Sequence, residues 1–330
     1  MRVHVLSLGD ETTASTHFRF LQYADLLSAR GIELVLVRRT EVGSAVFERL
    51  RGETVVLQKI VLRPPELRHL RACAGRLIFD FDDAIWARQD RPFSWPTRWR
   101  VRSRLARCLS AADAVTASSE HLAVYARRYT SRCHHVPMAI DTQVWTPRPE
   151  SEGPGLVVGW AGAPSNLPFL ERLVPPLERL VAERDDVEVR IYCGQRPELP
   201  FEFRHTQYSP GTEADFVREL DIGLCPLEDH EFARGKSPIK ILQYLACGVP
   251  VAASAVGASR ELLGAAWSRA IEPGGDWYEA ISELASDAER RRAMRTAGRE
   301  FVVTTHDLGV VADQLAGILA GGTTSEPQRA

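Results

Sequence analysis

The stretch Arg234-Gly235-Lys236-Ser237-Pro238-Ile239-Lys240-Ile241-Leu242-Gln243-Tyr244-Leu245-Ala246-Cys247-Gly248-Val249-Pro250-Val251 reads as a helix start, an apolar helix body, a glycine stop and the entry to a strand. Ser237 is a good N-cap, Pro238 suits the first helical position, Ile239, Ile241, Leu242 and Leu245 carry the buried side, and Gly248 ends the helix. A strand, Val249 to Ser254, follows. A helix that runs directly into an apolar strand is one step of a parallel α/β sheet. The same stretch is chemically marked. Only three of the chain's 41 basic residues are lysine, and two of them are Lys236 and Lys240. A compact ammonium suits a phosphate, and the free N–H groups of a helix start already favour an anion. Gln243 lies one turn deeper on the Lys240 face, where an amide can meet a ribose diol. The expectation is a diphosphate ligand; solvated lysines at an ordinary helix start are the bland alternative.

The pattern extends in both directions. Val3 to Leu8, Ile32 to Val37, Thr54 to Leu57, Leu77 to Phe81 and Ala114 to Ala117 read as strands, with helices such as Phe18 to Ala29 and Glu120 to Tyr129 between them. From Val136-Pro137 to Gly155 the chain is rich in turn residues, and residues 148–155 read as a linker. A second series then begins with Leu156 to Ala161 and continues with Val187 to Cys193 and Asp221 to Cys225. Asp276-x-x-Glu279 and Ser286-x-x-Glu289 look like capping boxes of late helices. The fold class expected is α/β, with two Rossmann-like parallel-sheet domains at 1–147 and 156–320 facing each other across a cleft. The last helix is a candidate to pack back on the first domain, and 321–330 reads as a frayed tail.

Composition narrows the function. At 330 residues with 45% hydrophobic and 25% charged content and a net charge of -2, the chain reads as soluble and globular, with no basic excess for nucleic acid. No run approaches a membrane span, and Met1 to Leu6 is a strand without a signal-peptide core, so a cytoplasmic location is expected. The six cysteines form no CxxC pair and read as reduced, mostly buried thiols. Cys133-His134-His135 lacks a second ligand pair with zinc spacing, so no metal is expected there. Neither Ser7-Leu8-Gly9-Asp10 nor Gly159-Trp160-Ala161-Gly162 is the GxGxxG fingerprint of a dinucleotide oxidoreductase. Gly162 would let a backbone approach a phosphate, or would simply make a tight turn.

Four segments in order, Phe79-Asp80-Phe81-Asp82-Asp83-Ala84-Ile85-Trp86, Val136-Pro137-Met138-Ala139-Ile140-Asp141, Gly159-Trp160-Ala161-Gly162 and Gly235 to Ser254, resemble glycosyltransferase family 4, of GT-B fold. The resemblance runs from about Arg2 to Leu319. It implies transfer of a sugar from a nucleotide diphosphate donor, UDP first and GDP second, with retention and without metal or other cofactor. It places the donor on the second domain and the acceptor on the first. Many relatives carry two glutamates eight positions apart around the quoted helix. Gln243 stands at the second and Gly235 at the first, so a donor-sugar carboxylate is missing or displaced to Glu231 or Glu228. The turn Gly162-Ala163-Pro164-Ser165-Asn166 also lacks the basic residue common there.

The resemblance thus implies donor contacts from Gly162, Arg234, Lys236, Ser237, Lys240 and Gln243, with Lys236 and Lys240 steadying the departing diphosphate. Asp82 and Asp83 are expected to touch sugar or acceptor and not a metal, with Asp82 counted as catalytic. His17, Arg19 and Trp86 are further acceptor candidates, the first two also fitting phosphate contacts or plain surface positions. The segment Arg91 to Arg107 holds six arginines in 17 residues with Trp95 and Trp99 between them. It suits an anionic acceptor or a membrane surface, while the tryptophans equally fit stacking on a sugar or filling the core. The arginines of 290–299 read as solvated. A non-catalytic nucleotide-sugar-binding partner subunit and a nucleotide-sugar isomerase remain alternatives.

Overall fold

The computed structural model describes residues 1–89, 91–148 and 155–322, so most of the expected linker and tail lies outside the described residues. The chain forms two compact units. One comprises Met1–Ala139, Arg234–Ser237 and Leu308–Ala330, the other Ile140–Ala233 and Pro238–Asp307.

The first unit is built on β1 (Arg2–Ser7), β2 (Glu33–Arg38), β3 (Thr54–Gln58), β4 (Arg76–Phe81), β5 (Ala114–Ala117) and β6 (Cys133–His135). They form one sheet in the order 2-1-3-4-5-6 with every pairing parallel. Its helices are α1 (Ala14–Arg19), α2 (Ala24–Ala29), α3 (Ser44–Arg49), α4 (Pro64–Cys73), α5 (Trp95–Ala111) and α6 (Glu120–Ala126). The single helix expected over Phe18 to Ala29 is instead α1 and α2, separated by a 3-10 turn at Leu21–Tyr23.

Alternation along the strands explains why both faces are covered. Leu6, Val55, Leu57, Leu77, Phe79 and Val115 enter one apolar cluster. Their neighbours Val5, Val56, Ile78 and Ala114 enter another, shared with Leu27 of α2 and with Val311, Leu315 and Leu319 near the chain's end. A strand buried on both faces reads as a continuous apolar run, as these do.

The second unit has β7 (Leu156–Ala161), β8 (Val187–Cys193), β9 (Arg204–Gln207), β10 (Ile222–Cys225), β11 (Val251–Ser254) and β12 (Ser268–Ile271). These form a parallel sheet in the order 12-11-10-7-8-9. Its helices begin with α7 (Leu167–Glu171), α8 (Val174–Glu183), α9 (Glu213–Arg218), α10 (Glu231–Arg234) and α11 (Ile239–Ala246). Then come α12 (Ala258–Leu262), α13 (Trp277–Ser286) and α14 (Ala288–Thr305), and α15 (Leu308–Ala320) belongs to the first unit. Helix α11 lies tight on its sheet. A side chain at Gly223 would meet the Tyr244 ring at 2.6 Å, and the Tyr244 hydroxyl accepts the Ala161 N–H at 2.8 Å.

Several helix ends differ from the sequence reading. Helix α11 begins at Ile239 with Pro238 as N-cap, at φ -89° and ψ 42°, and no side chain caps it, so Ser237 is not the cap. The following strand starts at Val251, because Val249-Pro250 is spent on the turn after Gly248 (φ +67°). Asp276 does cap α13, accepting from Glu279 N at 3.1 Å. For α14 the cap is Asp287, accepting from Arg290 N at 2.8 Å, and Ser286 closes the preceding helix. The late arginines are not simply solvated either, since Arg299 donates to the carbonyls of Thr142, Trp145 and Ala246 at 2.5–2.8 Å.

Candidate functional site

Parallel strands end on one edge of their sheet, and in the first unit that edge collects charge. Just past β3 stands Lys59, with φ +58° the one non-glycine residue in the left-handed region among the described residues. Its N–H donates to Asp80 O at 2.8 Å, which fixes the turn beside the end of β4. The ammonium then reaches Asp82 Oδ1 at 3.0 Å and Asp83 Oδ2 more closely still. Ser15 Oγ donates to the other Asp82 oxygen at 2.7 Å, and Gln58 Nε2 donates to Ser15 O at 2.9 Å. Burial works against the Lys59 cation, but Asp82 and Asp83 outweigh it and hold its pKa above the usual range. Burial pushes Asp83 upward and Asp82 adds to this, with Lys59 and Lys236 opposing. Lys236 is itself lowered by burial, with Asp83 pulling the other way.

Two other candidates from the same segments are part of the framework. Arg19 is 3% exposed and binds Asp80 through Nε and a terminal nitrogen, the closest contact 2.6 Å. Its remaining nitrogen donates to Val136 O at 2.7 Å, and Thr116 Oγ1 also donates to Asp80 at 2.7 Å. With its donors spent on protein, Arg19 ties α1 to β4 and to the end of β6; the acceptor or phosphate role read from sequence is corrected. Trp86 is likewise buried and stacks on Tyr125 with ring centroids 3.6 Å apart, so it is core and not an acceptor platform. His17 is exposed on α1, its ring edge-on to Phe18 at 5.2 Å.

Gly235 explains why the first expected glutamate is absent. A side chain there would lie 2.6 Å from Ala84 Cβ and 2.9 Å from both Ala84 N and Leu122 Cδ2, so anything larger than glycine forces its neighbours to shift. Arg234 is exposed, Lys236 and Ser237 are half-buried, and the Ser237 hydroxyl is buried without a hydrogen-bond partner among the described residues. In the second unit, Lys240 and Gln243 converge on Glu213, the first residue of α9. The Lys240 ammonium pairs with Glu213 Oε1, and Gln243 Nε2 donates to Glu213 Oε2 at 3.1 Å. Gln243 is 1% exposed, and its Oε1 has no partner among the described residues. An unpaired buried carbonyl and hydroxyl are costly unless something else bonds them.

Gly162 needs no ligand to explain it. Its N–H donates to Tyr192 O at 3.0 Å, and a side chain would strike the Trp160 indole at 2.3 Å, as the tight-turn reading requires.

Sequence reasoning missed Lys59, Ser15 and Glu213. The scarcity that marked Lys236 and Lys240 applied equally to the third lysine, Lys59, and was the one signal able to find it. Glu48, His69 and Cys73 also bring one metal-ligating atom each to within 4.8 Å of the others. The Arg51 guanidinium already lies at Glu48 Oε2 (2.5 Å) and at Cys73 Sγ (3.7 Å), so a positive charge occupies that cluster. The six cysteines are free thiols, five of them buried.

Residues 171–317 match the family model described as glycosyl transferase-like. No curated protein matches the chain. The fold is that of GT-B glycosyltransferases. Sucrose-phosphate synthase from Thermosynechococcus elongatus superposes with a TM-score of 0.77 at 16% identity, covering 97% of this chain and 98% of that one. Anabaena HepE, solved with UDP and glucose, gives 0.69 at 13% identity over 97% and 99%. A glycosyltransferase from Rickettsia africae gives 0.69 at 11% identity over 98% and 99%.

Proposed function

We propose that this glycosyltransferase of GT-B fold moves a sugar from a UDP-sugar to an acceptor hydroxyl with retention of anomeric configuration and without a metal ion. The bond from the sugar's anomeric carbon to the β-phosphate oxygen breaks as the acceptor oxygen bonds that carbon, the acceptor's proton passing to the departing β-phosphate oxygen, with no covalent protein intermediate. Lys236 and Lys240, with Arg234, neutralise the departing diphosphate, a task suited to prepositioned charge. Gln243 meets the ribose, and Asp82 and Asp83 bind sugar or acceptor hydroxyls.

The observation that carries this reading is the convergence of Lys240 and Gln243 on Glu213, with Gln243 Oε1 buried and unpaired among the described residues. A carboxylate and an amide side by side supply what a ribose diol needs: acceptors for both hydroxyls and one donor. Glu213 thereby returns, from α9, the carboxylate that Gln243 replaces. The UDP and glucose held by Anabaena HepE support uridine as the base. Calorimetric titration of UDP and 2′-deoxy-UDP tests the assignment. Gln243→Leu should cost about 1–3 kcal/mol in UDP binding, the scale of unpaired hydroxyls, and should remove discrimination against the deoxy ligand. Normal binding of both ligands by Gln243→Leu would move the nucleotide elsewhere.

The closed space at Gly235 favours one second reading. A chain with no carboxylate at that position fits a nucleotide-sugar-binding subunit that does not turn over alone. Transfer or hydrolysis by the purified chain separates the two.

A further inference from the structure

Helix α5 is packed at one end and bare at the other. Leu105, Cys108 and Leu109 are fully buried, whereas Trp95 is 80% and Trp99 67% exposed. Large aromatic rings so open to solvent mark interaction surfaces, and a pair one helical turn apart shares a face. Arg100, Arg104 and Arg107 recur at i, i+4 and i+7, forming a second stripe on the far side of the helix's exposed face. None of these three is paired with an acidic residue among the described residues. From Arg91 to Ala112 the sequence contains no Asp or Glu, in a chain whose net charge is -2. A groove of about 800 Å³ continues this face between α4 and α5, lined by Pro64, Leu67 and Ala106 with Arg68 and Arg107.

We propose that the Trp95/Trp99 end of α5, with its arginine stripe, docks the protein on an anionic lipid surface. The charge selects a partner rich in phosphate, and the tryptophans select one with an apolar layer beneath it. Indole rings settle at the headgroup level of a bilayer, and arginines beside them reach lipid phosphates while their stems lie along apolar surface. A soluble polyanion offers the charge without the layer. Attachment of this kind is peripheral: no helix among the described residues is long and apolar enough to cross a membrane. It is independent of the donor assignment, since no residue of the surface is among the donor candidates.

The test is flotation of the full chain with vesicles of phosphatidylcholine alone and with about 30% phosphatidylglycerol, at low and high salt. The expected result is binding to the anionic vesicles only, weakened by salt. Trp95→Ala with Trp99→Ala should weaken it about tenfold or more, as should Arg100→Gln with Arg104→Gln and Arg107→Gln. Trp95, Trp99, Arg100 and Arg107 are exposed and Arg104 half-buried, and none of the three arginines is paired with an acidic residue among the described residues, so both variants should keep a near-wild-type unfolding midpoint, and heparin binding should fall in the arginine variant alone. Absence of vesicle binding at low salt, or equal binding by the tryptophan variant, would overturn the proposal; in the latter case the helix is a general polyanion site.

Discussion

Replacing Lys59 by methionine removes the cation shared by Asp82 and Asp83 while keeping much of the side-chain volume. The three side chains are 15%, 5% and 25% exposed, so the carboxylates left behind are poorly hydrated. Breaking a buried pair costs roughly 3–5 kcal/mol, and the partial exposure of Asp83 places this case at about 3. For a unit of this size that corresponds to a fall of about 6–12 °C in its unfolding midpoint at pH 7.5. The pH dependence has a definite sign. Burial and Asp82 already raise Asp83, and removing Lys59 raises it further. A carboxyl with a raised folded-state pKa contributes stability at low pH that is lost as pH rises through that pKa. The deficit of Lys59→Met relative to wild type should therefore shrink as pH is lowered toward 4.5. Adding Asp83→Asn should recover much of it at neutral pH, because one carboxylate then remains beside Ser15. Thermal unfolding of the four proteins of this cycle at both pH values is the assay. An unchanged midpoint at pH 7.5, or a deficit independent of pH, would refute the reasoning.

Gly235→Glu, which supplies the carboxylate that the family resemblance implies at this position, should destabilise the fold by about 1–3 kcal/mol through overpacking on Ala84 and should not raise activity; a denaturant midpoint equal to wild type would count against the packing account. Burial pushes the Cys225 and Cys247 thiols up to about 12 and Cys108 to about 11, so at pH 8 in the native state none of the three should react quickly with a disulfide reagent, and a rapid reaction localised to any of them by mass spectrometry would contradict this. Turnover should persist in excess chelator and fall in Asp82→Asn; an enzyme silenced by chelator and restored by manganese would make Asp82 and Asp83 metal ligands.

The interior strands were legible because they are apolar on both faces. Leu156–Ala161 and Ala114–Ala117 stand where their mostly apolar runs begin and end, and Val187–Cys193 is marked instead by alternation, with Val189, Ile191 and Cys193 in the core alternating with Glu188 and Arg190. The strands that escaped notice, Cys133–His135, Arg204–Gln207 and Ser268–Ile271, are all sheet edges. An edge strand buries less and carries polar residues, so its sequence lacks the apolar run that betrays the others. The site divides in the same way. Lys240 and Gln243 lie one turn apart on one helix, with Lys236 just before it, where spacing is informative. Lys59 meets Asp82 across adjacent strands, and Glu213 meets Lys240 from another helix, partnerships that only the tertiary fold creates. Arg19 and Trp86 were misread because sequence marks a polar or aromatic residue near a strand end without showing whether it points outward or, as here, into the core.

Incubation of the purified chain with a panel of nucleotide sugars, following release of free nucleoside diphosphate with and without candidate acceptors, tests the central claim most directly. The account predicts release from a UDP-sugar, accelerated by the right acceptor with product of unchanged anomeric configuration, and reduced about tenfold or more by Lys236→Ala or Lys240→Ala through loss of a charge-assisted contact. Release by both lysine variants at the wild-type rate, or product of inverted configuration, would contradict it.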